Sequence, residues 1–429
     1  MITRKSVLIA VLLACLAAVG SAQTNTQILQ QIRTVFVIAL ENHNLAQTNP
    51  TSSPQQLKGN PAAPFLNSLI TPGNSNAVQV SYATRYYNAG SGVHPSEPNY
   101  VWAEAGTTFS VLTDNDPSTN SGNIFDAPHL TRQLNSAGIP WKNYQEDLEF
   151  STGPTVSASG TSSNAANLYN GSPQYGYAVK HNPMAFFSDT QTQNVYPLAQ
   201  FFTDLTNNAV GQYNWITPNL YNDMHGPLSG GFTYNGVVYT GDQAAVAQGD
   251  NFLSIVIPRI MASQAYQNNG LIILWGDEAE GDDTTNSVLP EIVISPLARG
   301  NAYASCVVMS HSSDLRTVEE IFGLSCVTNA IPAGEVAATG GYNDVTSVND
   351  LSDLFLTIPA TSILKATNSG GTNGVMLSWP TNATRFTLQK NCDLTTTNWV
   401  GVTNMPVTVY DQNQVTIAPL TNQAFFRLK

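Results

Sequence analysis

Apolar residues along this chain concentrate in a few unbroken, β-branched runs. Thr34-Val-Phe-Val-Ile-Ala-Leu40 and Gly270-Leu-Ile-Ile-Leu-Trp275 are apolar at nearly every position, and Glu291-Ile-Val-Ile-Ser295 is a shorter version. A strand with one wet face would alternate, so these runs predict strands buried on both faces. Helical spacing lies between and after them. Leu130 and Leu134 stand four apart in the stretch from Asp126 to Ala137, which Gly138 and Pro140 end. Ser312 is the expected cap of a helix whose Leu315, Val318, Ile321 and Phe322 form an apolar face before Gly323 stops it. Buried strands alternating with helices predict an α/β fold, a mostly parallel sheet sandwiched between helices.

The pattern changes near Thr357. From there to Lys429 the apolar segments are short and alternating, Val375-Met-Leu-Ser-Trp379, Arg385-Phe-Thr-Leu-Gln389, Val415-Thr-Ile417 and Phe425-Phe-Arg-Leu428, with Asn, Gly, Pro and Thr between them. This predicts a small β-sandwich over 357–429. It holds no acidic or histidine cluster, so its expected role is attachment, to a surface or a polysaccharide, or stability. At the other end, Arg4 and Lys5, the apolar stretch Val7 to Val19 and Gly20-Ser21-Ala22 read as a signal peptide over residues 1–22. The alternative is lipoprotein processing at Cys15. The remaining unit, 23–356, is the expected catalytic domain, secreted or periplasmic, and no other segment is long and apolar enough to span a membrane. In an oxidising compartment Cys306 and Cys326, which flank one candidate helix, are a candidate disulfide.

Composition narrows the partners. Only 10% of the 429 residues are charged, and 16 Lys and Arg face 29 Asp and Glu for a net charge of −13. Nucleic-acid binding needs many cationic phosphate contacts, and an acidic field repels DNA and anionic headgroups alike, so no nucleic-acid surface is expected. The chain has just 6 histidines, which makes their positions informative.

Two of the buried runs lead directly into acidic residues: Glu41-Asn42-His43 after the first, Asp277-Glu278 after the second. Ligand sites in α/β sheets collect at the carboxyl ends of strands. If the two strands are neighbours, three carboxylates converge, and close carboxylates need a cation or protons to relieve their repulsion. Between them lies His94-Pro-Ser96-Glu-Pro-Asn-Tyr100. Its prolines stiffen the turn around Ser96, and the stretch to Gly106 is the expected start of a helix whose amides could receive an anion. A serine beside a metal can act as an alkoxide nucleophile. His181, His225 and His311 lie in further polar segments, whereas His129 reads as structural.

These segments occur in an order that resembles the phosphoesterase family of bacterial phospholipases C and secreted acid phosphatases, within the alkaline phosphatase superfamily. The resemblance runs through Glu41-Asn-His43, the Ser96 turn, Trp141-Lys-Asn-Tyr-Gln-Glu-Asp147, Lys180-His-Asn-Pro183, Thr217 to His225, Trp275-Gly-Asp-Glu278 and Ser310-His-Ser-Ser313. It implies an alkaline-phosphatase-like fold and a phosphate ester substrate. It implies metal ligation by Glu41, Asn42, Ser96, Asp277 and Glu278, with Ser96 as nucleophile through a phosphoseryl intermediate. It places Asn99, His181 and Asp223 around the phosphate, and His225 and His311 as candidate proton donors. The divalent ion is left open among Ca, Mg, Mn, Fe and Zn. Ser96 in its Ser-x-Pro-Asn-Tyr wording lies nearer the acid phosphatases, which implies a phosphomonoesterase. The alternatives are a phospholipase C acting on diesters and a non-catalytic secreted binding protein.

Overall fold

The computed structural model describes residues 28–88, 90, 92–118, 122–148, 166–172, 176–279, 284–332 and 345–356, and in the C-terminal region 364–368, 374–380, 387–393, 395–409, 412–418 and 424–429. The signal peptide expected over residues 1–22, with Cys15, lies outside them.

Eight strands form the main sheet: β1 (Thr34–Leu40), β2 (Val80–Ala83), β3 (Trp141–Gln145), β4 (Val195–Pro197), β5 (Tyr213–Thr217), β6 (Gly270–Gly276), β7 (Glu291–Ile294) and β8 (Tyr303–Ser305). Their spatial order is β8-β2-β7-β6-β1-β5-β3-β4. All neighbours pair parallel except β7, which runs antiparallel to both β6 and β2. The two long apolar runs are therefore adjacent, with Leu40 beside Gly276 in register.

Both faces of the sheet are covered. Phe36, Ile38 and Leu40 of β1 join Ile272 and Leu274 of β6 in a core with the helix Asp242–Ala262; Val35, Val37, Ala39, Leu271, Ile273 and Trp275 point to the opposite core. The two-residue alternation is the pleat, and two apolar sets in alternation produce the unbroken runs in the sequence. Each Ile or Leu buried this way contributes about 1.5–3 kcal/mol. The helices that matter for the site are α1 (Ser96–Ala105), α2 (Leu130–Ala137), α3 (Asp242–Ala262) and α4 (His311–Phe322). α1 is buried on every side, which explains why it carries no apolar stripe.

Three expectations are corrected in detail. α2 starts at Leu130, not Asp126, because His129 before it is extended. The cap of α4 is Ser310 rather than Ser312: Ser310 has the extended backbone a cap needs, and its N–H donates to the Ser313 hydroxyl oxygen at 2.9 Å. Ser312 instead lies inside the helix, its hydroxyl accepting from Trp102 Nε1 at 2.9 Å. Cys306 and Cys326 are not bridged; both remain thiols.

The C-terminal region forms smaller antiparallel sheets. One has four strands in the order Lys365–Asn368, Val375–Pro380, Gln412–Ile417, Val407–Val409; the other has three, Val400–Gly401, Leu388–Asn391, Phe425–Leu428. Leu377, Trp379, Leu388 and Val415 are the buried centre they share. No helix among the described residues is long and apolar enough to cross a membrane.

Candidate functional site at the carboxyl ends of the central strands

The chain leaves β1, β5 and β6 at one end of the sheet, and the predicted residues meet there. Glu41 is 1% exposed, and its backbone N–H donates to the Asp223 carbonyl at 2.8 Å, locking the turn after β1 to the turn after β5. The Asp277 N–H donates to the Leu40 carbonyl at 3.1 Å, continuing the β1–β6 ladder into the acidic pair. Asn42 adopts a left-handed backbone, φ 47°, and its N–H donates to Asp277 Oδ1 at 3.3 Å. Asn tolerates that conformation better than other non-glycine residues.

Ser96 is the first residue of α1 and is 1% exposed. Its hydroxyl lies 3.1 Å from Glu41 Oε2 and 3.2 Å from Glu278 Oε1. His94 Nδ1 bonds the other oxygen of Glu278. Four residues along the same helix face, Tyr100 donates its hydroxyl to Glu41 Oε1 at 2.5 Å. Its ring stacks on His181, centroids 5.0 Å apart, and meets Trp215 and Trp275 edge-on.

The histidines separate by surroundings. His181 is buried, with Nε2 3.1 Å from Glu41 Oε1 and Nδ1 3.4 Å from Asp223 Oδ2. His225 Nδ1 is 3.3 Å from Glu41 Oε2, and 31% of its side chain is exposed. Glu41, His181 and His225 each bring a ligand atom within 4.8 Å of the others, so the two histidines stand among the candidate metal ligands. Burial alone would raise the Glu41 pKa, but His181 and His225 outweigh it and hold the carboxyl at about 2. Burial pulls the other way on His225 too, yet Glu41 raises its pKa to about 9. Burial, with Glu41 and Glu278 close by, raises Asp277 well above the usual carboxylate range; burial and Glu41 raise Asp223.

Two further predicted residues are buried in the walls of the site. His311 donates Nε2–H to the Gly276 carbonyl at 3.0 Å, packs against Trp275 and Tyr86, and burial lowers its pKa to about 3. That bond ties the start of α4 to the Gly276-Asp277 turn. Asn99 is fully buried and its amide donates to the Val93 and Pro95 carbonyls at 3.1 and 3.4 Å. It holds the Ser96 turn from beneath. His129 is structural as expected, lying 3.1 Å from Glu104 and 2.9 Å from Asp189 and stacked on Phe187. Tyr100 and His94 are site residues that the sequence reading leaves out; the four-residue spacing puts Tyr100 on the helix face of Ser96, whereas His94 lies before the helix.

The oxygens fit a divalent cation. Asn42 Oδ1 and Asp277 Oδ2 are buried without a hydrogen-bond partner, an arrangement that costs about 1–3 kcal/mol per group unless something positive satisfies it. Glu41, Asn42, Ser96, Asp277 and Glu278 supply the hard oxygen donors that such ions take.

Comparison with known proteins identifies the family. The sequence model described as "Phosphoesterase family" matches residues 74–325. The phosphatidylinositol-3-phosphatase of Mycobacterium tuberculosis is 30% identical over 65% of this chain and 77% of its own length. A probable acid phosphatase of Kluyveromyces lactis is 27% identical over 65% of this chain and 63% of its own. Among solved structures, a Vibrio parahaemolyticus protein of the alkaline phosphatase superfamily aligns over 83% of each chain at 10% identity, with a TM-score of 0.43. With the family's sequence pattern running through more than half its length, from before the Ser96 turn to beyond His311, this chain belongs to the phosphoesterase family and is a phosphoric ester hydrolase.

Proposed function

We propose that this protein is a secreted, metal-dependent phosphomonoesterase that works through Ser96. The carrying observation is the position of the Ser96 hydroxyl between Glu41 Oε2 and Glu278 Oε1, at 3.1 and 3.2 Å. The Ser96 proton would pass to Glu278 as the oxygen attacks phosphorus, since Glu41, held at about 2, is too weak a base. Glu41, Asn42, Asp277, Glu278 and Ser96 itself would hold a divalent cation, which when bound lowers the serine pKa and neutralises phosphate charge. The P–O bond to the leaving group breaks as the Ser96–P bond forms, and the leaving oxygen takes a proton from His225, the partly exposed histidine of the cluster. Water then cleaves the phosphoseryl ester and restores Ser96. His181, held by Tyr100 and Asp223, faces the same carboxylate. The acid phosphatases among the relatives support a monoester over a diester substrate, and the basic, apolar leader supports export.

Ser96→Ala tests the reading. Phosphate release from p-nitrophenyl phosphate should fall by about 10³-fold or more, with an unchanged circular dichroism spectrum. Turnover equal to wild type would overturn it, and faster hydrolysis of phosphatidylcholine than of the monoester would transfer the chemistry to diesters.

A further inference from the structure

Asp223 and His225 flank one residue, Met224. Met224 is fully buried and its φ is 83°, a left-handed conformation that a long side chain rarely adopts. Such a turn persists only where its surroundings hold it. α3 makes room for it through Gly249, where a Cβ would collide with the Met224 side chain. The rest of the segment is tied to Glu146 and Asp147, the two residues that follow β3, each 5% exposed. Glu146 Oε2 accepts the Asn219 N–H at 2.8 Å, and Oε1 accepts from Asn222 Nδ2 at 2.8 Å and from Asn167 Nδ2 at 2.7 Å. Asp147 Oδ2 accepts from Asn219 Nδ2 at 2.7 Å. Asn219 carries the constraint forward: its Oδ1 accepts the Asn222 N–H and its carbonyl the Asp223 N–H, both at 2.9 Å. Asp223 Oδ1 in turn accepts the His225 N–H at 2.7 Å.

We infer that Glu146 and Asp147 are positioning residues for the reaction: acting through the 219–225 segment rather than on the substrate, they hold the left-handed turn that aims Asp223 and His225 at Glu41. Both oxygens of Glu146 accept, and a glutamine has only one accepting oxygen, so an amide at 146 would turn N–H against one of these donors. The backbone joins the same parts. The Glu146 N–H donates to the Thr217 carbonyl at 3.0 Å and the Glu41 N–H to the Asp223 carbonyl at 2.8 Å, so the constraint runs from the end of β3 through the turn after β5 to the turn after β1. His225 is where a slack turn is felt first. Its side chain is 31% exposed, 3.3 Å from Glu41 Oε2, whereas the buried His181 ring is also stacked on Tyr100. Misplacing a reacting group by about 1 Å costs on the order of 10²-fold in rate.

The rate effect rests on His225 as the proton donor proposed above, but the positioning is read without turnover. Full-length protein carrying isotopically labelled histidine is followed by NMR, the His225 and His94 ring signals being identified by their loss in His225→Gln and His94→Gln. In Glu146→Gln the His225 signal should shift or broaden while the His94 signal, on the Glu278 side of the site, stays in place. Gly249→Ala should do the same from α3, since alanine favours a helix interior and its Cβ displaces Met224; it serves if Glu146→Gln does not fold. In turnover, kcat for phenyl phosphate, whose leaving oxygen needs a proton, should fall on the order of 10²-fold in Glu146→Gln. For p-nitrophenyl phosphate, whose leaving group departs as a stable anion, kcat should fall less than about tenfold, with KM for either ester changed less than about threefold. An unmoved His225 signal in both variants, or equal shifts at His225 and His94, would overturn the inference. A moved His225 signal with equal kcat losses on the two esters upholds the positioning and counts only against His225 as the proton donor.

Discussion

The carboxyl end of the central sheet and the C-terminal sheets follow opposite physical rules. At the sheet end, Glu41, Ser96, Asp223 and Asp277 are buried with their polar atoms converging; Asn42 and Asp147 hold positive φ within two residues of a strand end, and Met224 does so in the segment that follows β5. In the C-terminal sheets four of the described side chains are buried at the centre with partly buried ones around them, while Val400, Met405 and Val407 stand 54%, 85% and 65% exposed. Strained backbone and unpartnered polar atoms persist only where the surroundings over-determine them. Two extensive cores on either face of an eight-stranded sheet supply that constraint; the small cluster among the described C-terminal residues supplies less. Chemistry therefore concentrates where apolar burial is greatest, although the reacting groups are themselves polar.

This contrast can be broken by exchanging the expected sensitivities. Asp277→Asn should show the largest effect, a loss of about 10²–10³-fold in p-nitrophenyl phosphate turnover, the scale of removing one preorganised electrostatic group; a loss below tenfold would mean that the convergence of carboxylates is incidental. Next is Trp379→Ala, which should destabilise the C-terminal sheets by about 3–5 kcal/mol, visible as a separate early transition in calorimetry. Turnover per folded molecule should stay within about twofold of wild type, since no site residue lies there. A proportional fall in turnover would make the two regions one functional unit.

The smallest effect concerns a carboxylate pair outside the site. Burial and Asp314 raise the Glu291 pKa well above its ordinary range, and burial raises Asp314 to about 7. The folded protein therefore binds these protons more tightly than the unfolded chain. Stability contributed by the pair is present at low pH and declines as pH rises from about 4 through about 7. Glu291→Gln removes one titrating group, so the melting temperature should fall less than wild type between about pH 5 and pH 8. An unchanged slope would show that the pair carries no excess proton.

Much of this arrangement was legible because local sequence reports it. Glu41 and Asp277 immediately follow the two apolar runs, and strands buried on both faces leave their next residues at one end of the sheet. The contacts of His181 and His225 with Glu41 join positions about 140 and 184 residues apart in the chain, and only the ordered series of motifs placed them together. Burial decided what the sequence left open. His311 follows a serine-rich turn that suits an anion site, but Trp275 and Tyr86 close around it and its proton goes to Gly276. Ser310, Ser312 and Ser313 are chemically equivalent caps in the sequence. Only the extended backbone at Ser310 separates them.

Asn42 brings the two demands together at a single position. Its φ of 47° suits glycine best, with Asn and Asp next and branched or bulky residues excluded. Glycine satisfies the turn but brings no side-chain oxygen, and aspartate brings an oxygen together with a fourth negative charge beside Glu41, Asp277 and Glu278. The intersection is a vocabulary of one amino acid, dictated jointly by backbone sterics and by charge count. Even substitutions that a chemist would rank as conservative are therefore costly at this position.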